Sequence, residues 1–472
     1  MQLSALLDFE VVPLDTEDAV SVLLDVTAPE HDEGTERPSA TLQVVLDRSG
    51  SMSGKRLEGA VQALLGLVSR LAPTDNFGLV TFDHEARVEV PTGPLTDREA
   101  VRQSIRQLYP GGSTDMSSGL LRGIQEARRA AGERGATLLL ISDGHANTGV
   151  TDHGQLAKIA GQGYEHGVTI TTVGYELGYD EALMEAVAAG GAGSSLFARD
   201  PDTAQGLLAQ EAEYLLAKSA QAVSLRVPDS KHLRSHGVVG ELPSHTLPDG
   251  TVMVELGDLY SGEQRRILLR LEVPGLSDLG TVTVTTLEVT YADPQTLTTY
   301  TVSLPINVNV VPGDEAAGRV PTPEVRAEEA IQKAQTAKRE ASEALRRGDS
   351  ESAVGLLDAA RQNLDDLAPN SGGAAHDVAE QSAELGALSA QARLNDANTT
   401  SKEAMASSSG YVRRRHNRQA GPGEFRAQAP GDDERSGSAR GGSGQRIRGP
   451  QTGSGLSHPD DRQDPPQGPP TR

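Results

Sequence analysis

Between Ala40 and about Ala220 the chain alternates strand-length apolar runs with helical patterns, and this alternation leaves few architectures open. Strands are predicted over 41–46, 77–82, 136–142 and 168–174, with a short one at Ser195–Ala198. Helices are predicted over 54–71, 97–108, 117–132, 154–166, 180–189 and 202–219, with Thr96 and Glu99 as a capping box for the second. Strands joined by crossover helices build a mostly parallel, doubly wound α/β sheet. Thr137–Ile141 is a near-continuous apolar run, as a central strand covered on both faces requires. In such sheets ligands gather at the carboxyl ends of the strands.

The first of these strands runs into Asp47-Arg48-Ser49-Gly50-Ser51-Met52 and then into a helix. A tight turn there carries one carboxylate and two hydroxyls. Two later loops answer it. Thr114 sits in Gly111-Gly112-Ser113-Thr114, entering the third helix, and Asp143 follows the central strand in Ser142-Asp143-Gly144. Asp47, Ser49, Ser51, Thr114 and Asp143 form an oxygen-only donor set of three hydroxyls and two carboxylates. Such a set suits a hard divalent cation, Mg²⁺ before Mn²⁺ or Ca²⁺.

The pattern Asp47-x-Ser49-x-Ser51, Thr114, Asp143 resembles the metal-ion-dependent adhesion site of von Willebrand factor A (VWA) domains. Phe77–Phe82 followed by Ala86-Arg87-Val88, and Thr169–Gly174 ahead of an Asp-Glu-x-Leu-Met helix, resemble further segments of that family. The resemblance covers about residues 40–220. It implies a Rossmann-like VWA fold in which Ser49, Ser51 and Thr114 contact the cation directly, Asp47 and Asp143 act mostly through water, and a partner's Asp or Glu carboxylate completes the shell. The flanking regions are similar, more loosely, to bacterial cytoplasmic members and to inter-alpha-trypsin-inhibitor-like relatives.

Outside this unit the pattern changes. Runs at 223–227, 251–256, 266–273, 281–291 and 299–311 are β-branched and alternate, with Gly, Pro and Asp between them, as in an antiparallel β-sandwich. Two Val-rich runs at 6–12 and 20–28 have no neighbour in the α/β unit and are expected to supply the missing edge of the sandwich. The layout expected is N-terminal sandwich strands over 1–39, an inserted VWA domain over 40–220, the sandwich over 221–312, a coiled-coil-like α-helical hairpin region over 324–396, and a disordered tail over 401–472. The hairpin has Asp349 or Ser350 as its second N-cap and a third, weak helix over 375–395. Its Ala-rich face reads as packing surface.

The net charge of −23 argues against nucleic acid as a general partner. From Tyr411 to Arg472 there are 11 Arg against 7 Asp or Glu, which leaves −27 for the rest. The basic cluster Arg413–Arg418 reads as a solvated charge run. The chain has no cysteine, which excludes disulfides and thiolate chemistry. No signal segment and no membrane span is legible, so the expected location is the cytoplasm. His232, His236 and His245 lack the spacing of zinc ligands. Asp143-Gly144-His145 has no nucleophile with a defined place, and Gly111–Thr114 lacks the Lys of a phosphate-binding loop. The function expected is divalent-metal-dependent protein binding, without catalysis, through an acidic residue of the partner. An adaptor for an AAA+ ATPase and a metal-dependent hydrolase are the alternatives.

Overall fold

The computed structural model describes residues 1–30, 37–143, 146–175, 178–240, 242–394 and 396–412. It opens on three strands, β1 (Gln2–Leu7), β2 (Val11–Pro13) and β3 (Asp18–Thr27). The α/β unit follows as β4 (Thr41–Asp47), α1 (Lys55–Arg70), β5 (Asn76–Phe82), β6 (Ala86–Pro94), α2 (Arg98–Arg106), α3 (Met116–Ala131), β7 (Ala136–Ser142), α4 (His153–Tyr164), β8 (Val168–Tyr175), α5 (Glu181–Gly190), β9 (Ala192–Ala198) and α6 (Pro201–Leu216). Its sheet has the order β6-β5-β4-β7-β8-β9, all parallel except the antiparallel edge strand β6. The expected strands and helices are all present. β6 is the addition. It is mostly half-exposed at the sheet edge and so lacks a strong apolar signal. Helix α2 is capped by Asp97, whose carboxylate accepts from Ala100 N at 2.9 Å, so the Thr96–Glu99 capping box is corrected by one residue.

β4 and β7 are buried along their whole length and lie side by side. The chain leaves β4 towards β5 and β6, then returns to β7 on the other flank. The carboxyl ends of β4 and β7 therefore frame a topological switch point, where open α/β sheets form a crevice.

The sandwich continues with β10 (Lys218–Val227), β11 (Ser235–Val239), β12 (Ser244–Thr246), β13 (Val252–Tyr260), β14 (Gln264–Val273), β15 (Gly280–Ala292) and β16 (Thr299–Val311). One sheet runs β1-β3-β14-β11 and the other β12-β13-β10-β15-β16-β2. Val22, Leu24 and Val26 of β3 share one core with Leu225, Val254, Val289 and Val308 of the opposite sheet. The N-terminal strands thus enter both sheets. β2 is an edge, as expected, but β3 is interior, between β1 and β14, which corrects the reading of these strands as edge alone. A single turn clamps both connections to the inserted domain. Glu263 O accepts from Ala28 N at 2.8 Å, and Ser261 N donates to Ala217 O at 2.7 Å.

After the short α7 (Gly313–Ala316), four long helices follow: α8 (Pro323–Arg346), α9 (Ser350–Leu367), α10 (Ala375–Arg393) and α11 (Ala397–Val412). Asp349 caps α9, accepting from Ser352 N at 3.0 Å. The expected hairpin and the third helix expected over 375–395 are therefore three members of a four-helix unit, and residues 401–412, read as tail, are corrected to helix as part of α11. The remainder of the expected tail lies outside the described residues. Hydropathy conceals α11 because its packed face is polar. Thr400, Ser401, Lys402, Ser408 and Ser409 are all buried. Lys402 Nζ donates to Glu181 Oε2 at 2.8 Å and to Tyr179 O at 2.7 Å, tying α11 to the α/β unit. Lys338 Nζ donates to Ser407 Oγ at 2.9 Å, tying it to α8. Among the described residues no helix is long and apolar enough to cross a membrane.

Candidate metal centre

Asp47 ends β4 fully buried, and Met52, also fully buried, pins the far side of the loop into the core beneath α1. Gly54 stands between that loop and α1 with φ of +77°, a conformation that disfavours any residue with a Cβ. The loop between is internally bonded. Asp47 Oδ1 accepts from Ser49 N at 2.8 Å, and the Ser49 and Ser51 hydroxyls lie 3.0 Å apart. Ser51 Oγ then donates to Asp143 Oδ1 at 2.8 Å, and Ser142 Oγ donates to Asp47 Oδ2 at 2.6 Å. Four of the five sequence candidates thus form one hydrogen-bonded chain across the β4–β7 crevice. Ser51 is exposed, whereas Asp47, Ser49 and Asp143 are recessed.

Thr114, the fifth, is buried in a loop zipped onto the first by backbone bonds. Gly50 N donates to Gly112 O at 2.9 Å, and Gly111 N to Arg48 O at 2.5 Å. The other side of Thr114 is held by the loop after β7. Asn147 Oδ1 accepts from Thr114 N at 2.9 Å, while Thr114 O accepts from Asn147 N and Thr148 N. Beneath both loops lies a buried ion pair, Arg48 to Asp83 at 2.8 Å, each side chain 2% exposed. Asp83 also receives Glu85 N and Gly112 N on its carboxylate, and its carbonyl accepts from Asp115 N.

The electrostatics suit a cation. Burial pushes the Asp47 carboxyl up to about 6. Hydrogen bonds from Ser142 and Ser49 oppose the rise and the neighbouring Asp143 adds to it. A dication between the two carboxylates would relieve that cost. Asp83 behaves oppositely. Burial favours its neutral form, but Glu85 N–H, the Arg48 charge and Gly112 N–H outweigh this and hold it below the usual carboxylate value. Among the described residues no group of three or more His, Cys, Asp or Glu side chains could hold a metal. Any cation here rests on hydroxyls and two carboxylates, a donor set that fits a hard, oxygen-seeking ion.

The model of the von Willebrand factor type A domain matches residues 42–210. The chain carries a VWA domain. Its match to an uncharacterized protein of Synechocystis is 28% identical and covers 60% of this chain and 69% of that one. For the E. coli protein YfbK the identity is 28%, with 46% of this chain and 39% of that one covered. Inter-alpha-trypsin inhibitor heavy chain H1 of pig is 35% identical over 24% of this chain and only 14% of its own length. Among solved structures, a von Willebrand factor type A protein from Catenulispora acidiphila superposes with a TM-score of 0.64 at 17% identity, covering 87% of this chain and 96% of that one. The ArnB paralog VWA2 of Sulfolobus acidocaldarius gives 0.57 at 16% identity, covering 87% and 98%. At this coverage the shared fold extends beyond the VWA domain.

Other sequence candidates do not converge. His232 Nδ1 contacts Thr283 O and His236 Nε2 contacts Val227 O, while His245 is exposed on β12. His145 and the Arg413–Arg418 cluster lie outside the described residues. Sequence reasoning missed the roles of Arg48, Arg56, Asp83 and Asn147 at the VWA site. Asp83 left a faint signal, an acid at the end of the FGLVTF strand. The others show no local pattern, because their partners are distant in the chain.

Proposed function

We propose that this protein is a divalent-metal-dependent protein-binding scaffold. Its VWA site would hold Mg²⁺, or Mn²⁺ or Ca²⁺ in its place, through Asp47, Ser49, Ser51, Thr114 and Asp143. The observation that carries this reading is the bonded chain Ser142–Asp47–Ser49–Ser51–Asp143, open to solvent at Ser51. With both carboxylates acting through water and only neutral hydroxyls in direct contact, a bound dication would stay electrophilic and attract an acidic side chain of a partner. Ser49 and Ser51, whose hydroxyls lie 3.0 Å apart, would offer oxygens to the cation, and Asp47 and Asp143 the counter-charge. The inventory favours binding over catalysis, since among the described residues no nucleophile–base pair is built beside the set. The absence of cysteine supports a cytoplasmic setting.

Isothermal titration with Mn²⁺ and Mg²⁺, followed by partner capture with and without EDTA, tests the reading. One-site metal binding that is lost in Asp47→Ala, and capture lost in the same variant and in EDTA, are expected. Capture that survives both would defeat it.

A further inference from the structure

Arg56 lies in the first turn of α1, where the helix dipole is positive and a cation is locally disfavoured. Departures from local preference need compensation, and they cluster at functional sites. Here the compensation is visible. Arg56 Nη1 donates to Asp143 Oδ2 at 2.7 Å and to Ser51 O at 3.0 Å. Asp143 is completely buried at its side chain, whereas Arg56 is 31% exposed. One Asp143 oxygen is thus taken by Ser51 and the other by a guanidinium that reaches in from the rim.

We propose that Arg56 is a built-in counter-ion of the VWA site, competing with the divalent cation for the Asp143 carboxylate. This rests on the metal-site reading above. The guanidinium neutralises a buried carboxylate in the metal-free protein and so keeps that state folded without an uncompensated charge. A dication entering the crevice meets a positive charge already in place, and affinity is lowered accordingly. The partial exposure of Arg56 gives it a path outward. Once displaced, it stands at the mouth of the site beside Ser51 and adds its charge to whatever attracts a partner's carboxylate. The site is thereby tuned to bind metal weakly alone and more tightly with an acidic partner present, since the partner's carboxylate offers Arg56 a new pairing.

The experiment is isothermal titration of the full chain with Mn²⁺ alone, with folding checked by thermal melting. Arg56→Gln removes the charge, and Arg56→Lys keeps it without the guanidinium whose Nη1 bonds both Asp143 and Ser51. Arg234→Gln controls for net charge at a distant, exposed position. Asp47→Asn reports the site itself. Mn²⁺ affinity is expected to rise about tenfold in Arg56→Gln and less in Arg56→Lys, and to stay unchanged in Arg234→Gln. In the wild type, the Arg56 Nε–H resonance, assigned by its loss in Arg56→Lys, is expected to shift on adding Mg²⁺. Wild-type binding that Asp47→Asn abolishes and Arg56→Gln leaves equal or weaker overturns the counter-ion role while the metal site stands. Failure of both wild type and Arg56→Gln to bind overturns both. Binding by Arg56→Gln but not by wild type supports the role in its strongest form. Should Arg56→Gln fail to fold, Arg56→Lys decides alone, and affinity no tighter than wild type overturns the role.

Discussion

A Cβ at position 111 would lie 2.8 Å from Asp83 Cγ and 3.0 Å from its Cβ, and closer still to Oδ2. Side chains can often swing away from such an intrusion, but Asp83 cannot do so without loss. Its carboxylate is bonded to Arg48 at 2.8 Å with both side chains 2% exposed, and its own backbone carbonyl receives Asp115 N. Gly111→Ala must therefore either break a buried ion pair or lift the loop that carries Thr114. Removing one partner of a buried pair costs about 3–5 kcal/mol, and partial relief by loop movement brings the expectation to roughly 3 kcal/mol. For a unit of this size that corresponds to a fall in Tm on the order of 10 °C. Position 50 is the internal control. A Cβ there meets Gly111 O at 3.6 Å and Gly112 O at 3.7 Å, ordinary contacts, so Gly50→Ala is expected to shift Tm by under about 2 °C. Thermal melting of the metal-free protein gives the stability term, and titration with Mn²⁺ gives the site term. Because lifting the loop displaces Thr114, Mn²⁺ affinity should fall by at least about tenfold in Gly111→Ala. Equal melting of the two variants, or unchanged metal affinity in Gly111→Ala, would refute the reasoning.

Other perturbations separate the site from the scaffold. Asp47→Asn should abolish Mn²⁺ binding in titration and yet leave the metal-free protein as stable at pH 7 as wild type, or more so, because burial already disfavours the Asp47 charge; a lower Tm would contradict this. Lys402→Met removes the nearer cation from the buried Glu181 carboxylate and leaves it Ser401 and the more distant Arg346 at 3.6 Å, so the cost if α11 stays docked is at or below the low end of about 3–5 kcal/mol. Undocking limits that cost, so hydrogen exchange should accelerate across 397–412 far more than in β4 or β7, and Glu181→Gln in the same chain should restore much of the protection. Burial alone would push Glu181 up, but Lys402 and Ser401 outweigh it and hold the carboxyl below its usual 4.5. A depressed folded-state value means stabilisation that is present above pH 4.5 and lost as pH falls through the lower folded value. Limited proteolysis should therefore release α11 only as the pH falls through that lower folded value, below 4.5, and not at pH 6.

Much of the VWA domain was legible because its signals are local. β7 reads as a central strand from Thr137–Ile141 alone, since a strand covered on both faces has no polar alternation. Asp47, Ser49, Ser51, Thr114 and Asp143 could be nominated because each follows a strand or opens a helix, and parallel strands bring their carboxyl ends to one edge. The long, β-branched sandwich strands β3, β10, β13, β14, β15 and β16 were equally plain, whereas the short β11 and β12 were not read and the run at 6–12 is broken between β1 and β2. β6 escaped because a half-exposed edge strand has no clear periodicity, and α11 because its buried face is made of Ser, Thr and Lys.

From sequence alone came the alternation of strands and helices in the α/β unit, the domain that carries the site and the five oxygen-bearing residues that could hold a cation. Tertiary structure alone decided that β3 lies inside a sheet, that a fourth helix, α11, packs with the three expected over 324–396, and that Arg48 and Asp83 form the buried pair beneath the Thr114 loop. It also placed Arg56 against Asp143, 87 residues away. The division has a physical cause. Apolar periodicity and turn chemistry depend on neighbours within one or two helical turns. A buried polar group is tolerable only beside a partner, and the identity of that partner is set by which surfaces folding brings together.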